Sequence, residues 1–298
     1  MHHRLTALPL VLLVGCSSSP LSGAPPRTAT RPEPSVTVGG GEVIAPTEEI
    51  PSRPDHLRDD LVRTTRSLKS AIERWRRDGS DRRLASLLAL RQQRLYQVLA
   101  ARPRAARTVI GGLPPGLARF ASETVAASAR LHTLIEPLEE LPDWETYHPA
   151  PAGLLRRFYD KGARRFGIPW QILAAINFVE SRFGRILGPS SAGALGPMQF
   201  IPATWDAYGN GGDVMDPHDA ILGAARYLSA SGAPDRMRAA LHSYNNSSEY
   251  VRAIRTYARQ MTRDPRNFFA YYFWQVFVLT TDGNVQLTGP GGVRPATS

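Results

Sequence analysis

The chain has 298 residues, 42% hydrophobic and 21% charged, with a single cysteine and a formal net charge of +10. That length supports one sizeable core plus a smaller second unit, and the composition is ordinary for a soluble globular protein. One cysteine excludes an internal disulfide. The basic excess, carried almost wholly by arginine because Lys69 and Lys161 are the only lysines, fits an acidic partner: nucleic acid, anionic lipid or anionic wall polymer.

The N-terminus narrows that choice. Met1 to Arg4 is followed by an apolar run from Leu5 to Val14, then Gly15 and Cys16. A short positive region before about ten apolar residues is a signal peptide, too short for a membrane span. Leu13-Val14-Gly15-Cys16 resembles a bacterial lipobox, which implies lipid attachment at Cys16. A plain secretory signal with a chance cysteine is the alternative. A lipid anchor places the protein on the outer face of the cytoplasmic membrane, facing the cell wall, where no nucleic acid is met. Residues 17–54 are rich in Ser, Pro, Thr and Gly; they cannot bury enough apolar surface to fold and read as a tether.

Residues 55–140 read as a helical region. Leu57, Leu61, Leu68, Ile72 and Trp75 recur at helical steps, and Asp78-Gly79-Ser80 interrupts them. Leu84, Leu87, Leu88, Leu95, Val98 and Leu99 mark a second helix, Gly111 to Gly116 is a further breaker, and a third helix is predicted to about Ile135. The arginines between these positions are expected on a solvated face, and the helical hairpin is expected to pack on the next domain. Residues 145–262 read as short helices joined by Gly- and Pro-bearing loops. In the tail, 263–298, Phe273 to Thr280 is β-prone, and Thr281-Asp282-Gly283-Asn284 suggests a hairpin turn.

The chemistry concentrates after Pro169, a good first residue for a helix. From Trp170 to Phe183, Ile172, Ile176, Val179 and Phe183 form one stripe, and Glu180 falls inside or at the edge of it. A carboxylate facing the core is costly unless paired or protonated. Burial raises its pKa, as a general acid at neutral pH requires; a buried ion pair with Arg182 or Arg185 is the structural alternative. A raised pKa predicts a falling activity limb above about pH 6–7.

Glu180-Ser181 is followed by Ser190-Ser191-Ala192-Gly193-Ala194-Leu195-Gly196-Pro197-Met198-Gln199-Phe200 and later by Tyr244-Asn245. In these three ordered elements the chain resembles the lytic transglycosylases, whose catalytic domain is related to goose-type lysozyme. Phe200 to Trp205 and the helix start at Asp216-Pro217 are similar to the membrane-bound B-type branch. The resemblance covers roughly residues 150–262. It implies a mainly α, lysozyme-like catalytic domain, here preceded by the helical region and followed by a short β-hairpin tail. The substrate it implies is peptidoglycan, cut between N-acetylmuramic acid and N-acetylglucosamine to leave 1,6-anhydromuramic acid ends, without a cofactor.

Residue by residue, the resemblance makes Glu180 the acid/base. Ser181, Ser190, Gly193, Met198, Gln199, Tyr244 and Asn245 become substrate-binding candidates. Gln199 would bond a sugar, Met198 would pack beneath one, Tyr244 would orient Glu180, and Asn245 would contact the N-acetyl or ring substituents. Met198 as plain core and Tyr244 as a packed aromatic are the bland alternatives. Asn246 is expected to cap a helix, with Glu249 completing a capping box. Where B-type relatives often hold calcium, Gly209 to Met215 offers only Asp213, so no metal is expected.

Absence of a second cysteine after the signal excludes a cysteine peptidase, and absence of a His-Glu-x-x-His motif argues against a zinc peptidase. A hydrolytic muramidase and a catalytically idle wall-binding lipoprotein remain as alternatives. The first needs a second carboxylate, for which Asp213 is the candidate.

Overall fold

A computed structural model describes residues 49–141 and 144–287; Cys16 and residues 17–48 of the expected tether lie outside the described residues, and Pro54, the last residue of that expected tether, begins the first helix. Four helices come first: α1 (Pro54–Asp78), α2 (Arg82–Ala101), α3 (Pro103–Gly111) and α4 (Pro115–His132). The helix expected to run through Leu99 stops at Ala101 because Pro103 starts α3, with proline at its first turn. Seven more helices follow: α5 (Ala152–Phe166), α6 (Trp170–Ser181), α7 (Pro202–Tyr208), α8 (Pro217–Ala230), α9 (Met237–Tyr244), α10 (Ser248–Arg263) and α11 (Arg266–Phe273). The chain is mainly α, as expected. No helix among the described residues is long and apolar enough to cross a membrane.

The tail is helical further than its β-prone composition suggested, since α11 continues to Phe273. Only then do β1 (Phe277–Thr280) and β2 (Gly283–Gln286) pair antiparallel, with Thr280 opposite Gly283 and Thr281-Asp282 as the two-residue turn. Leu138 docks beside β1: its N–H donates to Leu279 O at 3.0 Å, and its carbonyl accepts from Thr281 N at 3.0 Å.

Buried residues of α1, α2 and α4 are continuous with those of α5, α6, α8, α10 and α11 in one core. Trp75 of α1 packs edge-on against Phe273 of α11 with ring centroids 4.8 Å apart. Gln260 of α10 donates to Phe120 O and Thr124 Oγ1 of α4, each at 3.1 Å. The solvated arginine face has one exception that matters. Arg91 is buried and donates to Asp60 of α1 from Nε and Nη2.

Helix α6 occupies the centre. It is buried all round from Ile172 to Ser181, not along one stripe, so Glu180 is enclosed whichever way it turns. Phe178, two residues before it, stacks on Tyr271 at 4.8 Å and meets Tyr257 edge-on at 5.0 Å.

Candidate active site

Helix α6 ends abruptly. Arg182, Phe183 and Gly184 all have positive φ, of 53°, 63° and 85°. Left-handed backbone at a non-glycine residue costs about 1–2 kcal/mol. Here it is held by Phe183 N donating to Asn177 O (3.1 Å) and Gly184 N donating to Ser181 Oγ (2.8 Å). The turn stops the helix one residue after Glu180 and sends the chain away from it.

Glu180 is 7% exposed. Burial pushes its carboxyl up to about 8, against the opposing effect of one hydrogen bond, in which Tyr250 Oη donates to Oε1 at 2.6 Å. Its other oxygen has no hydrogen-bond partner among the described residues. The ion-pair alternative is not what the structure contains. Arg182 Nη1 donates to Phe178 O at 2.7 Å and Arg185 Nη2 to Tyr272 O at 3.1 Å, and neither forms a salt bridge with Glu180.

The orienting tyrosine is therefore Tyr250, not Tyr244. Tyr244 Oη donates instead to Met198 O at 2.7 Å, pinning the loop that carries Met198. Tyr250 stands at the third position of α10, on the face that also buries Val251, Ile254 and Tyr257. The cap of that helix is Ser247, whose Oγ accepts from Tyr250 N at 3.2 Å, not Asn246. Glu249, at the second position, cannot close a capping box and pairs with Arg130 and Arg252. The sequence signal for Tyr250 is a helix start followed by an aromatic on the apolar face. No pattern along the chain carries its reach to Glu180, 70 residues earlier.

The loop from Ser190 to Phe200 folds back on itself, with Leu195 and Phe200 exchanging backbone bonds of 2.9 Å. Gly196 permits this: φ is 74°, and a Cβ there would lie 2.0 Å from Val214 O. Gly193, at φ 75°, has open space where a Cβ would be. Ser190 Oγ accepts from Ala194 N at 2.9 Å and shapes the same loop. Ser181 Oγ donates to Pro197 O at 2.6 Å, fastening the loop to α6. Met198 is fully buried, so its side chain is core and does not form a floor for a sugar.

Gln199 and Asn245 are placed differently. Gln199 Nε2 donates to Gly196 O at 3.0 Å, but its Oε1 is buried without a partner, as is Asn245 Oδ1. An unmet buried acceptor costs about 1–3 kcal/mol, a cost that a ligand N–H or O–H would relieve.

Glu180 opens into a cleft lined by Ser181, by Arg182 and by apolar groups, among them Val179, Ile186, Trp144 and Val276 to Leu279. No other Asp or Glu among the described residues lines it. The wall contributed by Trp144 and the β-hairpin was not anticipated, because residues far apart in sequence meet only when the hairpin docks. Asp213 is exposed, and its Oδ1 accepts from Met215 N at 2.8 Å, a local turn outside the cleft.

Asp216, His218 and Asp219 bring potential metal-ligating atoms within 4.8 Å of one another. Asp216 Oδ1 is committed to His218 N and Asp219 N as the cap of α8, and His218 Nε2 lies 2.8 Å from Lys161 Nζ. The cluster is accounted for as a helix start.

Residues 157–267 match the family described as transglycosylase SLT domain. This segment is similar to that family. It contains Glu180, the 190–200 loop, Tyr244, Asn245 and Tyr250, and it excludes α1 to α4 and the β-hairpin. The chain is similar to membrane-bound lytic murein transglycosylase F of Thiobacillus denitrificans, 32% identical over 122 residues, which are 38% of this chain and 26% of that protein. It is also similar to transglycosylases F 1 and F 2 of Alkalilimnicola ehrlichii. F 1 is 28% identical over 38% of this chain and 24% of its own length. F 2 is 30% identical over 37% of this chain and 26% of its own length. The chain thus spans about a quarter of the curated relatives it matches. No solved structure matches it.

Proposed function

We propose that the protein cuts peptidoglycan glycan strands between N-acetylmuramic acid and N-acetylglucosamine, with Glu180 as both acid and base. One observation carries the proposal. Glu180 is a buried carboxyl with no salt bridge among the described residues, held near pKa 8 in a cleft that no other described carboxylate lines. Such a group is protonated at neutral pH and has a proton to give.

In the proposed reaction, Tyr250 holds Oε1 and leaves the other oxygen for the substrate. Glu180 protonates the oxygen that links the two sugars, the bond to muramic C1 breaks, and positive charge develops on that ring. Glu180, now ionised, takes the proton of the C6 hydroxyl of the same sugar as that oxygen closes onto C1. The ring nucleophile is already bound, so neither water nor a second carboxylate is needed. The unmet acceptors on Gln199 and Asn245 would take hydrogen bonds from sugar N–H and O–H groups. The relatives' names, lytic murein transglycosylase, support the same substrate and reaction.

A mass spectrum of products from purified glycan tests this. Products one water lighter than hydrolysis products, and resistant to borohydride at the muramic end, are expected. Reducible products of full mass would make the protein a muramidase, and intact strands would leave it a wall-binding protein.

The location we propose is the cell envelope, through a lipid on Cys16 with residues 17–54 as the tether. The membrane-bound designation of the relatives supports it. Cys16→Ala should abolish fatty-acid labelling and release the protein to the soluble fraction; labelling that persists would overturn the anchor.

A further inference from the structure

A second pocket opens beside Glu180. It lies between α2, α4, the C-terminal end of α6 and the β-hairpin, lined by Gln97, Ser128, His132, Arg182, Trp274 and Asn284 among others. Ile135, Val179, Arg182, Phe277 and Leu279 line both this pocket and the Glu180 cleft, so the two adjoin. Most of its walls lie outside the SLT segment, which contributes Val179, Arg182 and Tyr257. It therefore exists because the N-terminal helices and the hairpin dock where they do.

Its polar content is one-sided. No Asp or Glu among the described residues lines it. Arg182 is fixed, with Nη1 donating to Phe178 O at 2.7 Å and the guanidinium 4.5 Å from the Phe178 ring centroid. Its Nε and Nη2 have no hydrogen-bond partner, and the side chain has no ion pair, among the described residues. Trp274 Nε1 is buried with no acceptor. His132 sits near enough to feel the Arg182 charge, which together with burial lowers its proton affinity, so at neutral pH it adds a neutral ring with one N–H. A rigid guanidinium with a free edge, flanked by spare N–H donors and no acid, is complementary to a carboxylate.

We infer that this pocket is a carboxylate-binding subsite for the peptide branch of the wall glycan, with Arg182 as its anchor. The inference rests on the function proposed above: muramic acid carries a peptide on its lactyl group, and that peptide bears free carboxylates. A sugar held at Glu180 would carry such a branch beside the cleft, and this pocket adjoins the cleft there. The pocket would favour strands that still carry peptides over bare ones.

The test uses the full chain on two substrates from one preparation, peptide-bearing strands and strands stripped of peptides by an amidase. The wild type should show kcat/KM about tenfold higher on peptide-bearing strands, the change that one net charge-assisted contact gives. Arg182→Gln should erase that preference while the rate on bare strands persists, and Arg182→Lys should restore part of it. Gln97→Glu, on α2 and remote from the turn that ends α6, should erase it by repulsion; it decides the matter if Arg182→Gln fails to fold. Equal losses on both substrates, or no preference in the wild type, would overturn the subsite. Absence of anhydro products from either substrate would overturn the function beneath it.

Discussion

Asp60 and Glu180 are both withdrawn from water, one in the N-terminal helices and one in the segment that matches the SLT domain, and their surroundings are opposite. Asp60 is completely buried, yet Arg91 meets it with Nε at 3.0 Å and Nη2 at 2.5 Å, and Thr64 Oγ1 donates at 3.0 Å. Glu180 has a tyrosine hydroxyl and no cation. The first arrangement pairs the carboxylate with a guanidinium across two helices and so joins them. The second leaves desolvation uncompensated, which drives the carboxyl to hold its proton. Burial alone identifies neither a structural nor a chemical carboxylate; the partner does.

The sharpest way to break this contrast is Glu180→Gln. Cleavage should fall by roughly 10³-fold with the fold intact, read by dye release from purified walls. The stability profile should separate the two residues further. Below pH 4.5, its ordinary pKa, Glu180 is protonated folded and unfolded; between about 4.5 and 8 only the folded chain keeps the proton. Wild-type stability should therefore lose a Glu180 contribution as pH rises through that window, then level above it. Denaturant melts of Glu180→Gln should lack that decline, and an identical pH profile in both proteins would refute the uncompensated burial of Glu180.

Asp60→Ala should do the reverse. Leaving Arg91 buried and unpaired should cost about 3–5 kcal/mol of stability, measured by urea unfolding, while activity per folded molecule persists. Replacing both partners, Asp60→Leu with Arg91→Met, should recover most of the loss. A stable Asp60→Ala would mean the pair contributes nothing.

Tyr250→Phe sharpens the account of Glu180. The hydrogen bond it removes opposes the burial effect, so the carboxyl should rise further. The falling activity limb, expected near pH 8 from the raised carboxyl, should move up by about one unit. A limb that stays or moves down would remove Tyr250 from the positioning role. The smallest effects on the fold are expected from Gln199→Ala and Asn245→Ala. Each should lower activity while changing stability by no more than about 1–2 kcal/mol, because the buried oxygens removed have no protein partner. Loss of folding with no separate kinetic defect would make them structural.

Much of this was legible along the chain, and the physical reason is locality. Helices announce themselves by spacing, so Leu57 to Ile72 and Leu84 to Leu99 marked α1 and α2, and Asp216-Pro217 marked the start of α8. Three ordered motifs, each within a few residues, brought out Glu180, the 190–200 loop and Tyr244-Asn245. Local readings failed where a neighbour in space outbid a neighbour in sequence. Arg91 belonged by pattern to a solvated face, but Asp60 lies across the α1–α2 contact. Met198 sat in the right motif, but packing turned it inward.

What the sequence determined by itself was the mainly helical class, the position of the core-bound Glu180, and the loop that accompanies it, since each depends on residues within about a dozen places of one another. Tertiary structure alone decided which tyrosine holds Glu180, that no arginine neutralises it, and that the β-hairpin and N-terminal helices wall the space beside it. Those contacts join residues far apart along the chain, as Tyr250 and Glu180 are at 70 positions. Their geometry depends on how eleven helices share one core among the described residues, and no periodicity along the chain encodes that.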